Sequence, residues 1–133
     1  SLIGDSAGGG LVMALLQILY RDSIDLPSSA VLLSPWTDLT LSGDSITSRA
    51  ERDPMLKANK NIHNAIESYL NGEDPKNPLV SSIFCETFPT PPIQIHVGTE
   101  EIIYDDSVRI YEKLSENINS SKTEDKSVNF KIA

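Results

Sequence analysis

The sequence predicts an α/β domain built on a mostly parallel sheet. Three observations carry this. Short apolar runs of strand length alternate with stretches whose apolar residues recur at helical spacing. The second run, Ala30–Pro35 (AVLLSP), is continuously apolar, the pattern of a parallel strand buried on both faces. A serine flanked by glycines sits where the first strand gives way to the first helix.

Taken in order, Ser1–Gly4 reads as the end of a strand. Leu11, Leu15, Ile18 and Leu19 then mark a helix that should stop near Asp22, with Pro27 closing the loop. After the strand at Ala30–Pro35, the stretch from Trp36 to Met55 has no period and reads as irregular. A helix is expected from about Leu56 to Leu70, with Ile62, Ile66, Tyr69 and Leu70 on its apolar side. Gly, Pro and Asn in NGEDPKNPLVSS make a loop. Pro92–Gly98 is the next strand, and Tyr104–Glu116 the next helix, packing through Val108, Ile110, Tyr111 and Leu114. Asn117–Ser127 is polar and aperiodic, the pattern of a flexible surface loop, and Val128–Ala133 is the last strand.

Composition narrows the function. The 133 residues suit one domain, and 39% hydrophobic with 23% charged residues is ordinary for a globular chain. A net charge of −8 argues against nucleic acid and against anionic membranes, both of which select clustered Lys and Arg. A single cysteine, Cys85, excludes an internal disulfide framework and reads as a small core filler. No apolar run reaches the length of a membrane span. The lack of an initiator Met and the strands at both ends suggest a piece of a longer protein.

The chemistry concentrates at the start. Gly4-Asp5-Ser6-Ala7-Gly8 is a G-x-S-x-G sequence after a strand and before a helix, the setting of a nucleophile elbow. Gly4 and Gly8 are expected to remove side chains that would collide across so tight a corner. Ser6 would be held in a strained conformation with its hydroxyl directed outward. The N–H of Ala7, at the helix N-terminus, could donate to an oxyanion. A phosphate cradle is the competing use of such glycines. No Lys-Ser/Thr follows Gly10, and the dinucleotide spacing G-x-G-x-x-G does not fit.

GDSAGGGL, AVLLSPWTDL, DPML, YLNGEDPKNPLVS and IHVGTEEIIYDDSVRIYEKL, in this order, resemble the hormone-sensitive-lipase-like family of α/β hydrolases, from Leu2 to about Leu114. The resemblance implies the α/β-hydrolase fold, hydrolysis of small-molecule carboxylic esters and no cofactor. It implies that Ser6 is the nucleophile and that the triad acid lies after the strand ending at Val97. Glu101 fits the family spacing, with Ile103 and Asp105 at the following offsets; Glu100 and Asp105 are weaker candidates. Family order puts the triad histidine downstream of the acid. Both histidines, His63 and His96, precede it and read as structural or surface residues, so the base is expected beyond Ala133. The family's glycine-rich oxyanion loop, expected upstream, is also absent from the 133 residues. The whole chain, 1–133, would thus be a partial catalytic domain carrying the second half of the sheet, from elbow strand to last strand. By itself it would be inactive.

Two other readings remain: a non-catalytic small-molecule receptor on the same fold, and a nucleotide-binding α/β domain. Trp36 reads as packing beside the site and Asp38 as a loop hydrogen-bond acceptor. Asn119-Ser120-Ser121 is a glycosylation sequon of low specificity.

Overall fold

A computed structural model describes residues 1–56, 60–86, 89–120 and 128–132. Four strands, β1 (Leu2–Asp5), β2 (Ala30–Leu33), β3 (Ile93–Val97) and β4 (Val128–Ile132), form one parallel sheet in the order β1-β2-β3-β4. Helix α1 (Ala7–Arg21) follows β1, and α4 (Tyr104–Ser120) joins β3 to β4. Between β2 and β3 the chain forms a short helix α2 (Ser45–Ser48), a longer α3 (Lys60–Leu70) and a 3-10 turn at Ser82–Phe84. All four expected strands are present and all pair in parallel.

The sheet advances one strand at a time in one direction. Crossovers of a single hand then place their helices on the same face. The core follows from this. Val12, Met13 and Leu16 of α1, Ala30 and Leu32 of β2, Ile93 and Ile95 of β3, and Ile110 and Leu114 of α4 are buried together, with Cys85 among them. Burying a side chain such as Leu16 or Leu32 contributes about 1.5–3 kcal/mol. Tyr111 of α4 stacks on Phe130 of β4, with ring centroids 5.0 Å apart.

Only this one face of the sheet is covered among the described residues. On the other face, Ile3 of β1 is 70% exposed and Leu33 of β2 37%. The stripe of α1 that packs differs from the expected one. Leu11 and Leu15 are exposed, whereas Gly9, Val12, Met13 and Leu16 are buried. Apolar residues surround much of this helix, so period alone does not choose the face. The choice falls to Gly9, where an added Cβ would lie 2.7 Å from the Pro35 side chain.

Other boundaries moved. Helix α3 is described from Lys60; Leu56, where the helix is expected to begin, lies in an Asx-type turn in which Asp53 takes the Met55 and Leu56 N–H groups, and residues 57–59 lie outside the described residues. Tyr69 is exposed, while Ile62 and Ile66 are buried. Helix α3 ends at Asn71 and Gly72, both with positive φ (46° and 91°), the usual left-handed stop. Helix α4 runs to Ser120, beyond the expected Glu116, so the polar stretch 117–120 is helical backbone. The rest of the expected loop, 121–127, and the end of the sequon lie outside the described residues.

A second cluster sits on the long β2–β3 connection. Ile46 of α2, Ile62 of α3, and Ile102 and Ile103 after β3 are buried with Trp36, Leu41 and Leu56 against them. A polar network underlies it. Asp38 is fully buried and accepts from Thr40, Ser42 and Arg109. Burial opposes its charge, but these hydrogen bonds outweigh burial and hold its carboxyl below the usual range. Asp106 of α4 accepts the N–H groups of Thr37 and Asp38, each at 2.8 Å. Burial beside the Asp38 charge pushes Asp106 up to about 7, despite those two donors.

Two predictions follow from this packing. A Cβ at Gly4 would meet the Gly8 carbonyl oxygen at 2.2 Å, whereas at Gly8 it would meet nothing within 4 Å. Gly4→Ala is expected to lower stability by about 3 kcal/mol or more. Gly8→Ala should be neutral or stabilising by up to about 1 kcal/mol, through helix propensity. Urea midpoints of the two variants decide this. The second concerns Asp106. Folded, it keeps its proton to about pH 7; unfolded, it releases it near the ordinary carboxylate range. The native state therefore binds more protons in this window, and stability falls as pH rises from about 4 to about 7. Asp106→Asn keeps an acceptor for both N–H groups and removes this loss. Its melting temperature should match wild type at pH 4 and exceed it at pH 8.

Candidate active site

The carboxyl ends of three neighbouring strands meet at one cleft. β1 delivers Ser6, β2 delivers Ser34, and β3 delivers the loop from Gly98 to Ile103. The cleft has a volume of about 270 Å³ and is lined by Asp5, Ser6, Ser34 and Glu101 on its polar side. Met55 and Leu56 supply apolar wall, and Met55 is 87% exposed.

Ser6 adopts φ 54° and ψ −119°, a conformation costing a non-glycine residue about 1–3 kcal/mol. Its backbone is pinned from both sides. The N–H donates to Leu33 O at 2.9 Å, and the carbonyl accepts from Gly9, Gly10 and Trp36. The side chain makes no capping bond to the helix it precedes. Helix α1 begins at the very next residue, so the N–H of Ala7 opens the helix, and it meets no acceptor among the described residues.

The corner depends on Gly4 as expected, since its missing side chain admits the Gly8 carbonyl. At Gly8 an added Cβ would meet nothing within 4 Å among the described residues. The close approaches belong to Gly9 and Gly10, whose Cβ atoms would strike Pro35 and the Trp36 carbonyl at 2.7 and 2.5 Å. A second, apolar cavity of about 180 Å³ borders Ala7 and is walled by Leu11, Trp36, Ile66 and Tyr69.

Of the three candidate acids only Glu101 lines the cleft with Ser6. Its Oε1 accepts from the Ser34 hydroxyl and the Gly98 N–H, each at 2.8 Å. Glu100 faces solvent and pairs with Arg52 at 3.2 Å. Asp105 accepts the Ser45 N–H at 2.8 Å. His63 is exposed on α3, and His96 lies within β3, where its carbonyl accepts the Ser34 N–H at 2.7 Å. Neither histidine lines the cleft.

Residues that the sequence reading passed over hold the loop after β3. Asp53 accepts the Ile102 N–H at 2.9 Å with one oxygen and the Met55 and Leu56 N–H groups with the other. Burial opposes the charge of Asp53, but these three backbone donors prevail and lower its pKa. Ser45 donates its hydroxyl to Ile102 O at 2.6 Å. Arg49 donates to the Thr99 carbonyl and lies over the Tyr104 ring, 3.7 Å from its centroid. One signal was available for Asp53: Asp before Pro, ahead of two more residues, is an Asx-turn sequence. Asp38 is a loop acceptor and Trp36 packs beside the site, as expected.

The chain matches the alpha/beta hydrolase fold family over residues 1–127. It is 42% identical over 107 residues to an acetyl-hydrolase of Streptomyces hygroscopicus, covering 80% of this chain and 36% of that one. An esterase of Acinetobacter venetianus is 36% identical over 111 residues, covering 83% of this chain and 36% of its own. Among solved structures, a hormone-sensitive lipase from a metagenome library superposes with a TM-score of 0.88 at 36% identity, over 98% of this chain and 43% of that one. An esterase from the bacterial hormone-sensitive lipase family gives a TM-score of 0.86 at 32% identity, over 98% of this chain and 42% of its own. The chain thus spans little more than a third of the curated relatives it matches. A parallel sheet whose strand ends gather a strained serine and a half-buried carboxylate, together with these likenesses, establishes that the chain belongs to the α/β hydrolases, among their hormone-sensitive-lipase-like members.

Proposed function

We propose that this chain is the part of a serine carboxylesterase that carries the nucleophile, Ser6, and the triad acid, Glu101. The observation that carries the reading is the shared cleft: a serine with φ 54° and a carboxylate anchored at one oxygen open onto the same space. The esterase and acetyl-hydrolase names of the relatives favour ester hydrolysis over a receptor role.

The base is a histidine supplied from outside the 133 residues, since His63 and His96 stand away from the cleft. It takes the Ser6 proton as Oγ attacks the ester carbonyl carbon. The resulting oxyanion accepts from the Ala7 N–H and from donors elsewhere in the intact protein. The imidazolium returns the proton to the leaving alcohol, and water then releases the acid by the same steps in reverse roles. Glu101 fixes the tautomer of the histidine and stabilises its charged form. The substrate is a small-molecule carboxylic ester, and no cofactor takes part.

In the intact protein, Ser6→Ala is expected to lower kcat on p-nitrophenyl acetate by about 10⁴-fold or more, and Glu101→Gln by about 10³–10⁴-fold. Glu100→Gln should leave kcat unchanged, because Glu100 is a solvent-exposed partner of Arg52. Full activity in Glu101→Gln would refute the assignment of the acid. The purified 133-residue chain is expected to turn over p-nitrophenyl acetate no faster than its own Ser6→Ala variant. Robust Ser6-dependent turnover by that chain would show that the base lies within it.

A further inference from the structure

Glu101 is a long side chain on a loop, with three torsions to immobilise. A triad acid on such a side chain needs one oxygen tethered and the other left for the base. The cleft supplies the tether at a single atom. Oε1 receives two donors, the Ser34 hydroxyl and the Gly98 N–H, both at 2.8 Å. Oε2 has no partner among the described residues. The backbone is shaped to allow this, because a Cβ at Gly98 would lie 2.7 Å from Oε1 and 3.3 Å from Cγ.

Ser34 is itself unusual. It sits one residue beyond β2 with φ 44°, in the left-handed region that a non-glycine residue rarely occupies. Its N–H is tied to His96 O at 2.7 Å, which locks the residue to the neighbouring strand. Pro35 follows it, and Trp36 N–H then reaches back to Ser6 O at 2.9 Å. Ser34 is thereby fixed between the nucleophile's strand and the acid's strand, and its strained backbone directs the hydroxyl at the carboxylate. If Ser34 served packing alone, Gly would suit φ 44° better and lose nothing.

We propose that Ser34 is a positioning residue for the acid, holding Oε1 of Glu101 so that Oε2 is presented to the catalytic histidine. This rests on the reading of Glu101 as the triad acid. The hydroxyl acts only through the carboxylate and does not touch the substrate's reacting atoms.

Ser34→Gly in the intact protein tests it, because glycine accepts the left-handed backbone while removing the donor. The expected result is a fall in kcat of about 10–100-fold on p-nitrophenyl acetate, the worth of one hydrogen bond to a charged group. KM should be unchanged and the melting temperature no lower than wild type. In a Glu101→Gln background the same substitution should cost nothing further, since the charge it positions is gone. Wild-type kcat in Ser34→Gly, with Glu101→Gln inactive, would overturn the proposal while leaving the acid assignment intact. So would a loss that tracks a lowered melting temperature, or one that adds in full to the Glu101→Gln defect. Full activity in Glu101→Gln would sink both readings together.

Discussion

The backbone of Ser6 cannot relax. Its N–H is held by β2 and its carbonyl collects three N–H groups, from the first turn of α1 and from Trp36. A conformation costing about 1–3 kcal/mol persists only where surrounding contacts over-determine it. Here they do, and the Gly4–Gly8 approach closes the corner from the other side. Helix α1 can then start at Ala7 without a residue of slack, which leaves an N–H beside the serine with no acceptor among the described residues. Strand, corner and helix are one constraint, from which the outward hydroxyl and the neighbouring donor both follow.

A comparable logic governs the loop after β3, with different means. Ser6 is fixed by backbone bonds alone, from β2, Trp36 and the first turn of α1, whereas the loop after β3 is also fixed by side chains recruited from the β2–β3 connection. The Ile102 peptide is bracketed, its N–H by Asp53 and its carbonyl by Ser45. Asp53 also shapes the turn that exposes Met55 to the cleft, so one buried carboxylate ties the loop after β3 to an apolar wall. The cost of burying Asp53 is offset by three backbone donors, the condition under which a buried charge stabilises rather than disrupts.

Much of this was legible in the residues. Apolar runs of strand length gave all four strands, and glycines around a serine marked the corner. Misreadings have physical causes. The packed stripe of α1 was set by Gly9 against Pro35, a tertiary contact that periodicity does not see. Within the motif the tight approach is at Gly4, and two more fall to Gly9 and Gly10 just beyond it, against partners from the distant Pro35 and Trp36. Helix α2 is four residues long and is organised by distant partners, Ser45 reaching Ile102 and Asp105, so no local pattern announces it. Ser34 was hidden for a related reason. A lone serine before proline looks like the end of a strand until the neighbouring strand brings a carboxylate to it.

Parallel strands stand about 4.7–4.9 Å apart. Ser6, Ser34 and the Glu101 loop leave three successive strands, so the sheet acts as a ruler whose gradations are its own hydrogen bonds. The strand ends that carry Ser6 and the Glu101 loop therefore stand two ladder spacings apart, a distance fixed by the sheet itself. The long β2–β3 excursion acts on the loop and not on the strands: its Asp53 and Ser45 orient the Ile102 peptide above a base whose spacing they do not set.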